Sequence, residues 1–317
     1  MPIRLVFAVT EAGIEAAAGD YFTALELGTA LTARFGWQID YRPKGDAWFD
    51  LAGVDVLVVM IDEYELPAIC NASPFLVTIA WARNWFESWC ERPWIADYDL
   101  HLASSRRATD YMSRRIGKRA RLMRLATNPE RFNADHRPGF ITLDYVFTGN
   151  FWHATRDIVG ALAALPSHFR GAIYGRHWEH VPELAHLYRG FVPYPQIHDV
   201  YREAAIVIDD ANHVTKEWGA ANSRVFDALA AGCLVITNSK MVSIDAFEGK
   251  LPVYETPAGL AALLDRYLHD VDERTRVLNE LREMVLARHS YRNRAMEFGL
   301  HLRSLRKQVI PGNPPNF

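Results

Sequence analysis

The amino-acid sequence predicts an α/β protein with two doubly wound parallel sheets, one in each half of the chain. Short apolar, β-branched runs alternate with longer helical patterns, which is typical of a parallel sheet covered on both faces. The alternation stops at Thr127–Gly139 and then starts again. The 317 residues are 50% hydrophobic and 23% charged, so the chain can bury a sizeable core in each half.

The first half begins with a strand at Ile3–Val9 and continues with a helix. Asp20 is a good N-cap residue, the helical pattern extends to Arg34, and Gly36 is placed to end the helix. The further predicted strands of this half are Trp37–Tyr41, Val54–Ile61, Phe75–Ala80, Leu100–Ala103 and Arg119–Leu125.

The second half follows Thr127–Gly139, a segment with two prolines and little apolar pattern that we interpret as a linker. Its predicted elements are a strand at Asp144–Thr148, a helix at Thr155–Leu165, a strand at Arg170–Tyr174, a helix at His198–Ala204, a strand at Ala205–Ile208, a helix at Asn222–Ala231 and a strand at Leu234–Thr237. Long helical patterns then occupy Pro257–Leu286 and Arg292–Gln308, and the remaining tail is expected to be frayed.

Composition excludes several classes of protein. Lys and Arg number 35 and Asp and Glu 38, and a formal charge of −3 does not fit wholesale nucleic-acid binding. Three cysteines without a CxxC pair indicate no disulfide framework and favour the cytoplasm. The start, MPIRLVFAVT, predicts a first strand and not a signal peptide, and the longest apolar run, Val54–Ile61, is too short to span a membrane.

Residues 220–237 contain the pattern with the most chemical content. Asn222 and Ser223 can cap a helix whose free N–H groups suit a diphosphate. Arg224 adds a bidentate phosphate donor, and Asp227, one turn later, can accept hydrogen bonds from ribose hydroxyls. A capped amphipathic helix with a surface ion pair explains the same residues, so the residue types alone leave both interpretations open.

The segment Asn222-Ser-Arg-Val-Phe-Asp-Ala-Leu-Ala-Ala-Gly232 resembles the signature of GT-B glycosyltransferases, particularly the group-1 and CgeB-like families. Their pattern is Ser-x-Arg-x-Phe-Glu-Ala-x-Ala-x-Gly, so Asp227 replaces the usual Glu. Gly219 stands where group-1 enzymes have the first of two paired Glu, with Glu217 nearby. Three more segments resemble these families in the same order, namely Leu125–Phe132, Val146–Asn150 and His289–Arg294.

The resemblance implies a GT-B fold, with two Rossmann-like domains facing a central cleft. Residues 1–135 would bind the acceptor, residues 136–290 the nucleotide sugar, and residues 291–317 would form a helix returning to the first domain and a frayed tail. The implied enzyme moves a sugar from a nucleotide-diphosphate sugar to an acceptor hydroxyl in glycan biosynthesis, with no metal and no other cofactor. A binding protein without transfer and a nucleotide-sugar epimerase are the alternatives.

Candidate donor contacts follow strands of the second half or begin its helices, where N–H groups and cations can meet phosphate. They are Gly149, Asn150, Arg156, Gly175, Arg176, His177, Asn222, Ser223, Arg224 and Asp227. Arg83 and Asn84 end a strand of the first half and are the candidate acceptor contacts. Trp81, Trp85 and Trp89 recur every four residues, which would place them along one side of a helix if the helix extended that far, and we expect them to pack the core.

An inverting transferase needs a base for the acceptor hydroxyl. Asp20 is the first candidate, with Glu63 and His153 behind it, and an N-cap role, which needs no catalytic explanation, is the preferred interpretation of Asp20. Asp209 and Asp210 follow a strand and could bind a metal, but a hydrogen-bonding role at the strand end is favoured, so no metal site is predicted.

The segment Arg106–Arg124 contains eight basic side chains and a single acid, Asp110. Such a run is usually a solvated helix face, and it also suits an anionic membrane surface or a polyanionic acceptor. The family resemblance favours a glycan or glycolipid acceptor. We therefore expect a cytoplasmic protein with a potential peripheral contact at the inner membrane face, and the sequence does not predict its oligomeric state.

Overall fold

The computed structural model describes residues 2–45, 47–134, 141–152 and 156–309. The chain divides into two compact units. The first comprises residues 1–12, 18–124 and 291–317, and the second comprises residues 13–17 and 125–290. Each unit contains a parallel β-sheet with helices, so the predicted α/β class with two Rossmann-like domains is confirmed.

Six of the described strands form the sheet of the first unit, in the order β2-β1-β3-β4-β5-β6 with all neighbours parallel. They are β1 (Arg4–Val9), β2 (Gln38–Pro43), β3 (Val56–Val59), β4 (Val77–Ala82), β5 (Leu100–Ala103) and β6 (Ala120–Leu122). Helices α1 (Gly19–Phe35), α2 (Phe86–Glu91) and α3 (Arg106–Ile116) connect them. The inner strands β3 and β5 are buried at every position because both faces of a parallel sheet are covered.

Two sequence-based expectations for the first unit are wrong in detail. Asp20 is not the N-cap of α1, because the helix begins one residue earlier and Ala18 occupies the cap position. The tryptophans do not share a helical face: Trp81 lies in β4, Trp89 lies in α2, and Trp85 between them has a left-handed backbone. Trp81 and Trp89 are buried in the core, whereas Trp85 is 50% exposed.

Four of the described strands form the sheet of the second unit, in the order β10-β9-β7-β8, again parallel. They are β7 (Leu143–Thr148), β8 (Gly171–Tyr174), β9 (Ala204–Asp209) and β10 (Leu234–Thr237). The helices of this unit are α4 (Asp157–Ala163), α5 (Ile197–Arg202), α6 (Ser223–Ala230), α7 (Lys240–Phe247), α8 (Pro257–His269) and α9 (Val271–Arg288). Every residue of β9 is buried, so this strand forms the centre of the core.

The helical pattern predicted over Pro257–Leu286 is two helices, α8 and α9. Asp270 separates them because its carboxylate accepts a hydrogen bond from the Glu273 N–H at 2.8 Å and so caps the second helix. Helix α10 (Tyr291–Val309) belongs to the first unit and packs on α1, where Gly299 leaves room for the Phe35 ring. Residues 135–140 of the predicted linker and the tail after 309 lie outside the described residues.

Among the residues described, no helix combines the length and apolar character that crossing a membrane requires.

Candidate functional site

The carboxyl ends of the four strands in the second unit meet at one edge of the sheet, where ligands bind in doubly wound folds. Three of the loops at this edge contain predicted donor contacts. They follow β7 at Gly149, β8 at Gly175 and β9 at Asp210.

Gly149 and Gly175 bring two of these loops into backbone contact. Both have positive φ angles, 149° and 153°, which side chains rarely adopt. A Cβ atom on Gly175 would lie 2.1 Å from the Gly149 carbonyl oxygen, so only glycine fits there. The Gly149 N–H donates to the Tyr174 carbonyl at 2.9 Å, and the Trp178 indole donates to the Gly149 carbonyl at 2.6 Å. The loops that follow β7 and β8 are therefore held together as one backbone unit.

Asn150 and Arg176 connect the same loops through their side chains. The Asn150 amide oxygen accepts the Arg176 N–H at 2.8 Å, and its Nδ2 donates to the Ala17 carbonyl at 2.9 Å. The Arg176 guanidinium donates to the Glu15 carbonyl at 2.7 Å and lies over the Phe191 ring. Both predicted donor contacts thus have protein partners. Their hydrogen bonds hold the segment 13–17 against the loops that follow β7 and β8.

Arg224 forms a buried ion pair with Asp209. Its Nη1 lies 2.7 Å from the Asp209 carboxylate, and its Nε donates to the Thr148 carbonyl at 2.5 Å. The Asp209 side chain has no solvent exposure and also accepts hydrogen bonds from Asn222 and Thr237, both at 2.8 Å. The ion pair and its hydrogen bonds therefore connect the start of α6 to the ends of β7, β9 and β10.

The remaining nitrogen of Arg224, Nη2, has no hydrogen-bond acceptor among the described residues. It lies beside Gly149, where a Cβ atom would approach it to 2.7 Å. The absence of a side chain at Gly149 therefore leaves this corner of the guanidinium accessible. A guanidinium fixed on two sides with its third side open is suited to an oxyanion.

A second arginine–aspartate pair lies beside the first. The Arg156 Nε lies 2.7 Å from the Asp210 carboxylate, which is fully buried. Burial raises the pKa of Asp210 above the ordinary carboxyl value, and Arg156 opposes this rise. Asn238, directly after β10, donates to Asp210 at 2.9 Å and accepts the Ala211 N–H at 2.8 Å. Both acids that the sequence offered as metal ligands are thus partners of arginines.

Phe147 connects the two pairs. The guanidinium carbons of Arg224 and Arg156 lie 4.5 Å and 5.1 Å from the centre of its ring. Such cation–π contacts are strongest where water is excluded. The ring therefore fixes the positions of both cations at this edge.

The predicted N-cap of α6 is present, since the Asn222 side chain accepts the Arg224 N–H at 3.0 Å. Ser223 is the first helical residue and is half-buried. Asp227 is only 2% exposed and lies close enough to Tyr201 to raise the pKa of that phenol, which burial raises most. The Asp227 carboxylate is therefore inside the domain and not on its surface.

A cavity of about 530 Å³ opens beside the second ion pair. It is lined by Arg156, Asp157, Ala211, Asn212, His213, Lys216 and Glu217. The Lys216 ammonium lies 2.6 Å from the Asp157 carboxylate, so the lining carries both signs of charge. A cavity of this size and polarity suits a sugar-sized ligand.

Among the described residues, one group of side chains has metal-ligand atoms close together. The ligand atoms of His177, Glu179 and His180 all lie within 4.8 Å of one another. His177, a predicted donor contact, has a left-handed backbone, and the centre of its ring lies 5.9 Å from that of Trp152 with the two planes tilted by 53°. His153, a candidate base, lies outside the described residues.

The first unit holds the remaining candidates at the carboxyl edge of its own sheet. Asp20 is buried in the first turn of α1, where it accepts the Thr10 N–H at 2.5 Å. Arg83 and Asn84 follow β4 and are half-buried. Glu63 is exposed and forms an ion pair with Lys44 at 2.5 Å. Asp20 and Arg83 are near enough to interact electrostatically, whereas Glu63 belongs to a surface pair.

Residues 153–299 match a family model described as "Glycosyl transferase-like". Sucrose-phosphate synthase from Thermosynechococcus elongatus is similar in structure, with a TM-score of 0.70 and 14% identity over 96% of this chain and 100% of that one. A glycosyltransferase from Rickettsia africae has a TM-score of 0.67 and 12% identity over 98% of this chain and 100% of that one. The Anabaena protein Alr3699/HepE, solved with UDP and glucose, has a TM-score of 0.63 and 11% identity over 95% and 100%.

The chain has the fold of the GT-B glycosyltransferases, and its residues 153–299 resemble a glycosyl transferase-like family. These matches confirm the predicted resemblance to group-1-like glycosyltransferases and the GT-B fold, and they support glycosyl transfer from a nucleotide sugar. No curated protein sequence matches the chain at a significant level.

Sequence reasoning missed several residues that shape the carboxyl edge of the second sheet. None of Phe147, Trp178 and Asn238 was a predicted site residue. Phe147 is the penultimate residue of β7, Trp178 lies just after the loop that begins at Gly175, and Asn238 directly follows β10. Asp209 and Asp210 were noticed for their acidity, but their arginine partners were not identified. The available signal was position, because residues just after parallel strands gather at one edge whatever their separation in sequence.

Proposed function

We propose that the second unit binds a nucleotide-diphosphate sugar at the carboxyl edge of its sheet. The open Nη2 corner of Arg224, beside Gly149, is the observation that carries this proposal. The first N–H groups of α6 point to the same edge and add dipolar attraction for the diphosphate. The cavity beside Arg156 accommodates the sugar.

The donor site works without a metal ion in this proposal. Asp209 and Asp210, the two acids at the end of β9, are already paired with arginines. Arg224 and backbone N–H groups then stabilise the departing diphosphate in place of a divalent cation. UDP is the first nucleotide to test because the Anabaena protein was solved with it.

The first unit binds the acceptor, with Asp20 as the base. A glycan or glycolipid is the expected acceptor class. Asp20 is held by the Thr10 N–H and lies at the edge where β1 ends, so its second carboxylate oxygen is the one that accepts the acceptor proton. Asn84, which follows β4 at the carboxyl edge of the same sheet, supplies an amide for acceptor hydroxyls.

A peripheral membrane contact through α3 is a further part of this proposal. Among the basic side chains of this region, Arg114, Arg115 and Lys118 are exposed and lie in or just after the last turn of the helix. Clustered cations of this kind attract anionic lipid. Co-sedimentation with vesicles of phosphatidylglycerol, and not of phosphatidylcholine, at low salt is the expected result, and equal partition with both would remove this part.

A thermal-shift screen with UDP, GDP, dTDP, ADP and CMP, run with EDTA, tests the donor site. A ligand that binds only the folded protein raises its melting temperature. The matched variants are Arg224→Lys, which keeps a cation for Asp209 but removes Nη2, and Arg170→Lys at the surface pair with Asp144. One nucleotide should stabilise the wild type and Arg170→Lys, and stabilise Arg224→Lys much less.

Turnover assays separate transfer from its alternatives. A transferase releases the nucleotide when acceptor is added and hydrolyses donor slowly without it. An epimerase would release a 2-epimer of the donor with no acceptor present, and a binding protein would give neither product. Nucleotide stabilisation only in the presence of Mn²⁺ would contradict the metal-free donor site.

A further inference from the structure

Arg83 is a half-buried residue whose Nε is buried, and it differs from the paired arginines because its charge has no partner. Its Nε is buried without a hydrogen-bond acceptor, and no carboxylate among the described residues is within ion-pair distance of the guanidinium. By contrast Arg156, Arg224 and Arg294 are each paired with a carboxylate at 2.7 Å. The side chain of Asn84, the next residue, likewise makes no hydrogen bond to a described residue.

This arrangement costs stability in the free protein. Burial lowers the pKa of Arg83 from its ordinary value, and Asp20 and Tyr291 oppose this only at a distance. A charge that has lost its hydration destabilises a fold unless hydrogen bonds or an opposite charge compensate for that loss. Within the first unit, the described residues do not provide that compensation.

The position of Arg83 indicates that a ligand provides this compensation. It is the first residue after β4, at the carboxyl edge of the six-stranded sheet, where ligands of doubly wound folds bind. The Ser104 hydroxyl donates to the Arg83 carbonyl at 2.8 Å, which fixes the backbone.

The neighbouring Trp85 shows that this loop is built under strain. Its φ is 51°, a conformation that bulky residues rarely adopt, and its side chain remains 50% exposed. Strained backbone of this kind is concentrated at ligand sites.

We infer that Arg83 binds an oxyanion, a carboxylate or a phosphate, carried by the acceptor. The inference rests on the proposed function for its assignment to the acceptor, and it narrows that acceptor to acidic sugars or phosphorylated glycans and lipids. The planar guanidinium forms paired hydrogen bonds to either oxyanion. Asn84 and the exposed face of Trp85 then contact the adjoining sugar.

The experiment compares two anionic probes with a neutral one. Binding of glucuronate, methyl phosphate and glucose is measured by thermal shift at constant ionic strength. The proteins are the wild type, Arg83→Met, Arg224→Lys and Arg92→Met. Arg92 is the matched control because it is a half-buried arginine of the same unit that already has a partner, Asp62 at 2.6 Å.

Glucuronate or methyl phosphate, and not glucose, should stabilise the wild type. Its dissociation constant should rise at least tenfold in Arg83→Met and change less than twofold in Arg92→Met and Arg224→Lys. Preference for glucuronate identifies a carboxylate, and preference for methyl phosphate identifies a phosphate. Without ligand, Arg83→Met should melt no lower than the wild type, because an unpaired buried charge has been removed.

Three results would overturn the inference. They are the absence of stabilisation by either anion, stabilisation that persists in Arg83→Met, and loss of stabilisation in Arg224→Lys, which would assign the anion to the donor side. A parallel UDP series keeps the two proposals separate. Failure of UDP to bind would contradict the donor site while leaving the anion result intact.

Discussion

The Gly149 carbonyl oxygen lies so close to Gly175 that a Cβ atom on Gly175 would be only 2.1 Å from it. Replacing Gly175 by alanine therefore forces the two strand-end loops apart. We expect Gly175→Ala to lower the free energy of unfolding by more than about 2 kcal/mol and to abolish nucleotide binding. Urea unfolding and the thermal-shift assay measure the two effects.

Gly160→Ala is the control for this change. Gly160 lies within α4, and a Cβ there would meet nothing within 4 Å. Alanine should raise stability by up to about 1 kcal/mol through helix propensity and leave nucleotide binding unchanged. Equal effects of the two substitutions would contradict the close packing of the loops.

The Arg224–Asp209 pair predicts a strong coupling between the two side chains. Arg224→Met leaves a fully buried carboxylate without its cation, which costs about 3–5 kcal/mol. Adding Asp209→Asn should recover part of this loss, and a double-mutant cycle from urea unfolding measures the coupling. The surface control, Arg170→Met, should cost much less, because an exposed ion pair contributes little to stability. Additive losses would show that the pair does not stabilise the edge.

Asp20→Asn should abolish transfer without weakening nucleotide binding. The amide oxygen can still accept the Thr10 N–H, so the fold is preserved while the base is lost. The expected loss of kcat is at least about 100-fold, in line with the usual contribution of a general base. Glu63→Gln, at the exposed pair with Lys44, should retain activity. Normal turnover by Asp20→Asn would remove this residue as the base.

His301 predicts a pH dependence of stability. Burial and the cation of Arg121 lower its pKa to about 4. Between about pH 4 and its ordinary pKa of 6.5, the unfolded chain takes up a proton that the folded protein refuses. The neutral ring, which accepts from Arg121 at 3.1 Å, therefore contributes stability above pH 6.5 that is lost as the pH falls towards 4.

The His301→Asn variant isolates this contribution. The difference in unfolding free energy between pH 7 and pH 5 should be smaller in the variant by up to about 1 kcal/mol, after allowance for solvent screening of a partly exposed ring. Urea titrations of both proteins at the two pH values measure the difference. An unchanged difference would show that His301 is protonated in the folded state.

The sequence predicted the elements better than the contacts between them. The cap of α6 at Asn222 and the glycine that ends α1 follow from local backbone chemistry, which a sequence displays directly. The pair of Arg156 with Asp210 joins residues 54 apart, and nothing local specifies it. A four-residue spacing of Trp81, Trp85 and Trp89 suggested one helical face, but the first belongs to a strand, where that period has no meaning.

Candidate site residues divide in the same way. Their placement after strands followed from the alternation of elements, because parallel strands deliver their loops to one edge. Whether a polar side chain is left open or is used by the protein depends on distant partners. Asn150 and Arg176 are engaged with the segment 13–17, whereas Arg83 and the Nη2 of Arg224 remain available.

The pairing of two adjacent acids with two arginines also bears on product release. Transfer converts a sugar diphosphate into a nucleoside diphosphate with one more negative charge. Arginines without acidic partners would hold this product more tightly than the donor and slow each catalytic cycle. Because Asp209 and Asp210 offset part of the charge of Arg224 and Arg156, the extra charge of the product strengthens its binding less than two unpaired arginines would. In the proposed donor site, this pairing therefore favours release of the nucleoside diphosphate, and inhibition by that product should be weak.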